Sequence, residues 1–432
     1  MSVTQRRMRK AAAVALVAAV ALGAAACSKK EEPSGGDNGG KIKLIVDSFG
    51  EFGYDELIKQ YMASHPNIEI EQRKTAKLDD YKPQLVKYLA AGTGAGDVVG
   101  LEEGIINEFK AQPDNWIDLK QYTGDLSGDF LSWKYDAGKT ADGSKLLGLP
   151  TDVGGLAMCY RTDLFKKAGL PVERDAVSKL WPTWDDFIKV GTDYKAKTGK
   201  ALIDSVTTEF SAIMTQLGEP LFYDRQNNVV AGTSQSVKGA WDKAVQMINA
   251  GISSKTATWS EDWSAGFKKD TFAVVACPSW MLGIIEGNSG PENKGKWDVA
   301  AVPGGGGNWG GSWLSVPKQS AHPKEAAELA KFLTSADSQV AAFKAKGPLP
   351  SNLKALDNPD FQAYKNPYFS DAPVGAIFGA GAKTLQPVYL GPKHAAIKER
   401  AFEPALQSIE QGKVAADKAW TNALAEAEKQ AK

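Results

Sequence analysis

Histidine, cysteine and methionine are scarce in this 432-residue chain, at three, three and seven residues. The shortage of histidine narrows the chemistry. A Ser-His-Asp triad needs a buried, oriented imidazole. His65 sits in a helix-stop sequence, His322 precedes Pro323, and His394 lies two residues after Pro392. No spacing of His, Cys and acidic residues suits a metal. Gly304–Gly307 has no following Lys-Ser/Thr pair and is a turn rather than a phosphate loop. No cofactor and no metal are therefore expected, and the chain does not read as an enzyme. Charge of one sign is also missing. Lys and Arg total 51 against 51 Asp and Glu, which argues against a nucleic-acid partner. Long apolar runs are absent except at the extreme N-terminus. Aromatics, in contrast, are plentiful: 12 Trp, 12 Tyr and 16 Phe in a chain that is 43% apolar. Such a composition excludes disorder and supports a sizeable core without disulfide staples. The length suggests two or three domains.

Residues 1–27 read as an export signal. Arg6, Arg7, Arg9 and Lys10 precede an uncharged run from Ala11 to Ala26, which ends in Ala24-Ala25-Ala26-Cys27. That run is short for a membrane span and suits a signal. The sequence resembles a bacterial lipobox, with Cys27 as the lipidated first residue of the mature chain; Ala24 stands where that motif prefers Leu. The alternative is an ordinary signal cut before Cys27, and Arg6-Arg7 leaves a twin-arginine route open. The Pro/Ser/Gly-rich composition of residues 28–40 reads as a flexible tether. The mature chain carries 47 basic against 51 acidic residues, which fits an exported body on a tether. Cys159 and Cys277 both lie in strand-like runs and are either paired or two buried thiols.

From residue 41 to about 101 the pattern reads strand, helix, strand, helix, strand, an α/β start with a largely parallel sheet. Ligands on such sheets bind at the carboxyl ends of strands. Residues 156–160, 272–277 and 297–303 read as further strands. Helices are expected over 183–187 and onward with Thr183 as cap, and over 238–250, 324–333, 336–344, 395–411 and 414–429.

Eight segments in order resemble the extracellular solute-binding proteins of bacterial sugar ABC importers. They are DELIKQYMASHPNIEIE (55–71), YLAAGTGAGDVV (88–99), GLPTDVGGLAMCYRTDLFKKAGL (148–170), PTWDDF (182–187), TFAVVACPSW (271–280), VPGGGGNWGGSWLSVPKQS (302–320), KGPLPSNLKAL (346–356) and the closing helices. Within that family, residues 48–54 and 180–187 are most similar to actinobacterial binding lipoproteins for cellobiose- or xylobiose-type sugars. The resemblance implies a two-lobed, type II periplasmic-binding-protein-like α/β fold with the ligand cleft between the lobes. One lobe would combine 41–151 with about 283–340, the other 152–282 with about 341–432. The chain would cross near 148–156, near 278–287 and once more late. The implied partners are an oligosaccharide, the importer's membrane subunits and, through the anchor, the outer face of the cytoplasmic membrane. A monomer is expected.

Pyranose rings offer apolar faces to indoles and hydroxyls to carboxylates and amides. Trp259, Trp263, Trp280, Trp309 and Trp313 fall within 55 residues, several beside glycine, and are candidate stacking residues. Trp280 ends ACPSW, which matches the family's GPW motif, where the aromatic stacks on sugar. Trp181, Trp184 and Trp420 read as packing. Glu103, in the pair Glu102-Glu103 after a strand, is a candidate hydroxyl acceptor, as is Asp152 at the first crossing. Phe49 and Glu51 follow the first strand, and Tyr389 precedes Gly391-Pro392. Two other functions compete. An exported glycoside hydrolase needs two carboxylates flanking a bond, and adjacent residues on one strand end point apart. A non-sugar solute such as an amino acid calls for a well-placed arginine, and Arg161 and Arg225 are the nearest.

Overall fold

Apolar alternation in Ile42-Lys43-Leu44-Ile45-Val46 sets the first strand, β1 (Ile42–Phe49), inside the first lobe's sheet. It pairs in parallel with β2 (Ile68–Thr75) and with β3 (Val98–Glu102). The computed structural model describes residues 41–385 and 387–432; the signal segment, Cys27 and the tether lie outside the described residues. β4 (Gly148–Pro150) closes one edge. β5 (Asp152–Val153) and β6 (Leu156–Arg161) follow, then β7 (Val274–Pro278), β8 (Trp297–Ala300), β9 (Ser312–Ser315) and β10 (Leu349–Pro350). The first sheet has the order β2-β1-β3-β9-β4, with β9 antiparallel to both neighbours. Helices cover both of its faces. Leu44, Val46, Leu57, Tyr61, Leu314 and Ala330 fill one side, and Tyr81, Leu85, Leu101, Ile105 and Trp313 fill the other.

The second lobe is built on β6, with β7 and β8 antiparallel on either side. Side chains alternate across this sheet. Met158, Tyr160, Val274 and Ala276 enter one core, where they meet Trp181, Phe187, Phe210 and Phe402. Cys159, Val275, Cys277, Trp297 and Val299 enter the other, with Phe267, Phe343 and Phe361. Cys159 and Cys277 form a disulfide, with their Cα atoms 5.5 Å apart. They lie on the same face of adjacent strands, because Cys159 pairs with Val275 and Cys277 is two residues on. Of the two sequence readings, the paired one is what the fold contains.

The expected helices form with small shifts. Thr183 caps Trp184–Thr198, and its hydroxyl accepts from the Asp186 amide. Ser234 caps Gln235–Ala250, which ends at Gly251 in the left-handed region. The single helix expected over 395–411 is instead three joined pieces: His394–Ile397, a π-helical turn Lys398–Phe402, and Glu403–Glu410. Pro404 has no N–H to donate within the ladder, and the widened turn falls just ahead of it.

The chain first crosses between lobes at residues 150–156, from β4 of the first sheet to β6 of the second. The second crossing differs from the sequence expectation. Residues 283–300, expected with the first lobe, belong to the second, because β8 pairs with β6 and Ile285 and Val299 enter its core. The return crossing is the glycine-rich segment between β8 and β9. A third crossing separates Pro323–Leu333, packed on the first lobe, from Ala336–Lys346. That helix gives Ala342 to the first lobe's core and Val340 and Phe343 to the second's. β10 pairs with β5 between the crossings. Gly154 and Trp309 fix how closely two crossings approach. The Trp309 amide donates to the Gly154 carbonyl at 2.8 Å, and a Cβ at Gly154 would lie 1.7 Å from the Trp309 carbonyl oxygen. Only glycine fits there.

The disulfide closes a sequence separation of 118 residues inside the second lobe. Replacing both Cys159 and Cys277 by Ala is expected to cost about 2–5 kcal/mol of stability, read as a lower denaturant midpoint. Thiol counting under denaturing, non-reducing conditions is expected to detect neither of these two cysteines.

Candidate ligand-binding cleft

The carboxyl end of β3 and the start of the helix Glu103–Lys110 put two acids where the first lobe faces the crossings. Glu102 folds back to cap that helix, and its carboxylate accepts from the Gly104 amide at 2.6 Å. Glu103 points the other way and is buried. Both of its oxygens accept from the Asn308 side-chain amide at 3.0 Å, and its own amide donates to the Gly311 carbonyl. Asn308 accepts in turn from the Gly154 amide at 2.8 Å. Acid, amide and both crossing strands are thus one hydrogen-bonded unit.

Asp152 lies in the same unit. It is buried and accepts from the Thr151 hydroxyl at 2.6 Å and from the Ser312 amide at 2.9 Å. Lys134 completes the unit. Its side chain is fully buried, and its ammonium lies 3.4 Å from the centre of the Trp313 ring without a hydrogen bond. Burial lowers the pKa of Lys134, while Glu103, Asp152 and Glu102 pull it up. Burial pushes Glu103 up to about 8 against the opposing pull of Lys134, and neighbouring Glu102 and Asp152 push in the same direction. Burial likewise raises Asp152, with Lys134 working against it.

Three of the five candidate tryptophans form a wall beside this unit. Trp280 follows β7, and its indole N–H donates to the Trp309 carbonyl at 2.9 Å. The Trp309 ring stands edge-on to Trp280 at 5.7 Å, and Trp259 lies nearly parallel to Trp280 at 6.1 Å. Trp259 is 38% exposed and has a left-handed backbone, with φ at +67°. That conformation is costly for a bulky residue and is concentrated at functional sites. The Lys398 ammonium lies 5.8 Å from the Trp309 ring.

The other candidates lie elsewhere. Trp263 is buried behind Trp259, and its indole N–H donates to Asp204 at 2.6 Å. Trp313 is buried in β9, its N–H donating to the Lys134 carbonyl. Both are fully buried and offer no face to a ligand, whereas Trp259, Trp280 and Trp309 remain partly open. Glu51 is exposed and pairs with Lys74 at 2.9 Å. Phe49 packs against Phe52 and Tyr81. The Tyr389 hydroxyl donates to Asn227 and its amide to Glu219. Sequence reasoning passed over Asn308, Lys134 and Lys398. Asn308 carried a signal, as the sole amide in a glycine run. Lys134, inside an ordinary short helix, carried none. His394 is buried against Phe222, and burial together with Lys398 lowers it to about 3. Among the described residues, no group of three His, Cys, Asp or Glu could hold a metal ion, and no helix is long and apolar enough to cross a membrane.

An acid whose pKa is raised on folding stabilises the native state below its unfolded pKa. That contribution is lost as pH rises through the folded value. Glu103 and Glu399 near 8, Glu410 near 7 and Asp204 near 6 all act in this direction. The melting temperature is expected to fall between pH 5 and pH 9. Glu103→Gln, which mimics the protonated acid, is expected to flatten that fall; an unchanged slope in this variant would show that Glu103 is ionised throughout.

Comparison with known proteins identifies the family and the fold. A family model described as bacterial extracellular solute-binding protein matches residues 56–368. The chain is 28% identical over 283 residues to the lactose-binding protein of Rhizobium radiobacter, covering 63% of this chain and 64% of that protein. It is 26% identical over 297 residues to the arabinooligosaccharide-binding protein of Bacillus subtilis (strain 168), covering 65% of each. The chain therefore spans just under two-thirds of the length of these relatives. A crystal structure of an extracellular solute-binding protein family 1 member is 39% identical, with a TM-score of 0.77 over 90% of this chain and all of that one. A binding protein from B. animalis subsp. lactis Bl-04, solved with β-1,6-galactobiose, shares the fold at 22% identity and a TM-score of 0.77, over 90% of this chain and 98% of that one. Two lobes on separate sheets, crossings joined through Asn308 and Glu103, and a family match over most of the chain lead to one assignment: the protein belongs to the bacterial extracellular solute-binding proteins.

Proposed function

We propose that this protein is the substrate-binding component of an ABC importer and captures a short oligosaccharide, β-linked and of the cello- or xylo- type. The observation that carries this reading is the wall of Trp259, Trp280 and Trp309 beside the buried unit of Glu103, Asn308 and Asp152. Indole faces suit the apolar faces of successive sugar rings, and flanking carboxylates and amides suit their hydroxyls. Relatives named for lactose and arabinooligosaccharide binding support a sugar ligand. The sugar enters the open cleft, bridges both lobes and favours closure through its greater affinity for the closed state. The closed form then docks on the membrane subunits. In this reading Cys27 carries a lipid anchor that holds a monomeric body at the outer face of the cytoplasmic membrane.

A hydrolase is the second reading: burial raises Glu103 to about 8, the direction a general acid needs. Against it, both oxygens of Glu103 are already engaged by Asn308. The binding reading therefore expects no reducing sugar to be released from any bound oligosaccharide.

Titration of intrinsic tryptophan fluorescence with cellobiose, cellotriose, xylobiose, maltose and chitobiose tests the reading. A saturable shift with a β-linked sugar is expected. Trp280→Ala is expected to raise Kd about tenfold, the size of one lost aromatic contact, while the melting temperature stays within a few degrees. A flat response across the panel from folded protein would overturn the sugar assignment.

A further inference from the structure

The two lobes touch at a second place, remote in sequence from the three crossings. Residues 389–395 leave the second lobe, where the Tyr389 amide donates to Glu219 at 2.6 Å and Gly391 lies against the Tyr223 ring, with no room for a Cβ. They reach the helix Glu103–Lys110 of the first lobe. The Asn107 side-chain amide donates to the Leu390 carbonyl. The Lys393 ammonium meets Glu108 at 2.8 Å, and the other Glu108 oxygen meets Lys82 at 2.6 Å. Ala395 sits in the first lobe's core beside Ile105, while Ile397, two residues on, sits in the second lobe's core. A Cβ built on Gly104 would lie 3.5 Å from that of Ala395.

We propose that residues 389–395 form a latch that holds the lobes together with no ligand in the cleft, so that opening of the latch paces ligand entry and exit. Every contact in it is protein to protein. A hydrogen bond, a shared carboxylate between two lysines and a seated methyl group all form whether or not the cleft is filled. The neighbouring seam needs such a device. It sets Asp79 and Glu102 of the first lobe near Glu399 and Glu403 of the second, with Lys398 as their shared cation, 3.9 Å from Glu403. Acids outnumber the one ammonium there, and burial raises Glu399, Glu403 and Glu102, so this cluster does not by itself draw the lobes together. A contact made equally in the empty and filled closed states cancels from the equilibrium constant and acts on the rates. Breaking the latch is therefore expected to raise kon and koff together, by about tenfold for the loss of one hydrogen bond and one half-buried ion pair, with Kd changing less than about threefold.

The latch is tested first without any sugar. In Gly104→Cys/Ala395→Cys, the Cβ separation falls in the disulfide range, and only the side-chain end of Glu102 has to move aside. Ligand-free protein is expected to cross-link on mild oxidation, read by non-reducing mass analysis against the parent chain. Adding Asn107→Ala/Glu108→Ala is expected to slow the cross-link about tenfold. Should the cysteine pair fail to fold, X-ray scattering of the ligand-free Asn107→Ala/Glu108→Ala protein gives a second reading, with a larger radius of gyration than the parent expected. No cross-link in ligand-free protein, or an unchanged rate and radius when the latch residues are removed, would overturn the proposal. It builds on the binding reading above, and the two fail separately: cross-linking with a flat sugar titration keeps the latch and removes the sugar, whereas saturable binding without ligand-free cross-linking does the reverse.

Discussion

The approach of two crossing strands between the lobes is the constraint on which the rest of the structure depends. Gly154 lies under the Trp309 carbonyl with no room for a side chain, and Asn308 spans from the Gly154 amide to Glu103. That single amide ties the carboxyl end of β3 to both crossings. A buried carboxylate is costly unless neutral or paired. Here Glu103 receives two contacts from Asn308, with Lys134 nearby among the acids. The cost is balanced only when the strands stand in this register, so the network selects one arrangement of the crossings more than it adds stability. Trp309, next in sequence to Asn308, is aimed by the same constraint, and Trp280 is held to it through the Trp309 carbonyl. The aromatic wall thus inherits its position from the crossing.

Lys134 shows how deep the constraint runs. Its ammonium has the Trp313 face below it at 3.4 Å, and Gly311 lies so close that a Cβ there would come within 2.7 Å of it. Burial lowers Lys134, and the neighbouring acids oppose that pull while the indole face favours the charged form. The glycines of the return segment therefore do different work. Gly154 and Gly311 make room for backbone and for a charge, whereas Gly305 and Gly306 meet nothing within 4 Å and serve the turn, with φ near +69°.

Much of the fold was legible because it rests on local patterns. Period-two alternation marked β1 and β2, and apolar runs bounded by glycine or proline marked β3, β6 and β7. Caps at Thr183 and Gly251 ended helices where sequence rules place them. What was not legible was pairing at a distance. Nothing within residues 297–300 says that they join β6 rather than the first sheet, since an alternating strand fits either. The helix expected over 395–411 has a helical pattern, and its widened turn depends on Pro404 acting inside a tertiary context. The site divides in the same way. Tryptophan density pointed to the right region, but sequence could not separate Trp259, Trp280 and Trp309 from Trp263 and Trp313. The difference lies in burial: the cores cover Trp263 and Trp313 completely, whereas Trp259, Trp280 and Trp309 each keep part of their surface open.

Two kinds of contact hold the lobes, and they suit different tasks. At the crossings, Asn308, Glu103, Asp152 and Lys134 are buried and bonded within a few ångströms of strands that continue from lobe to lobe, so any relative motion must pivot around them. At residues 389–395 the polar contacts are half-buried and partly ionic, and Ala395 is the one latch residue seated in a core, so they can break with little more than one methyl group withdrawn from the first lobe. A binding protein must close on its ligand and later let it go. A rigid pivot beside the aromatic wall keeps the ligand-facing groups in place through that cycle. A breakable grip farther along the seam then lets the open and closed forms exchange while the geometry at the pivot is preserved.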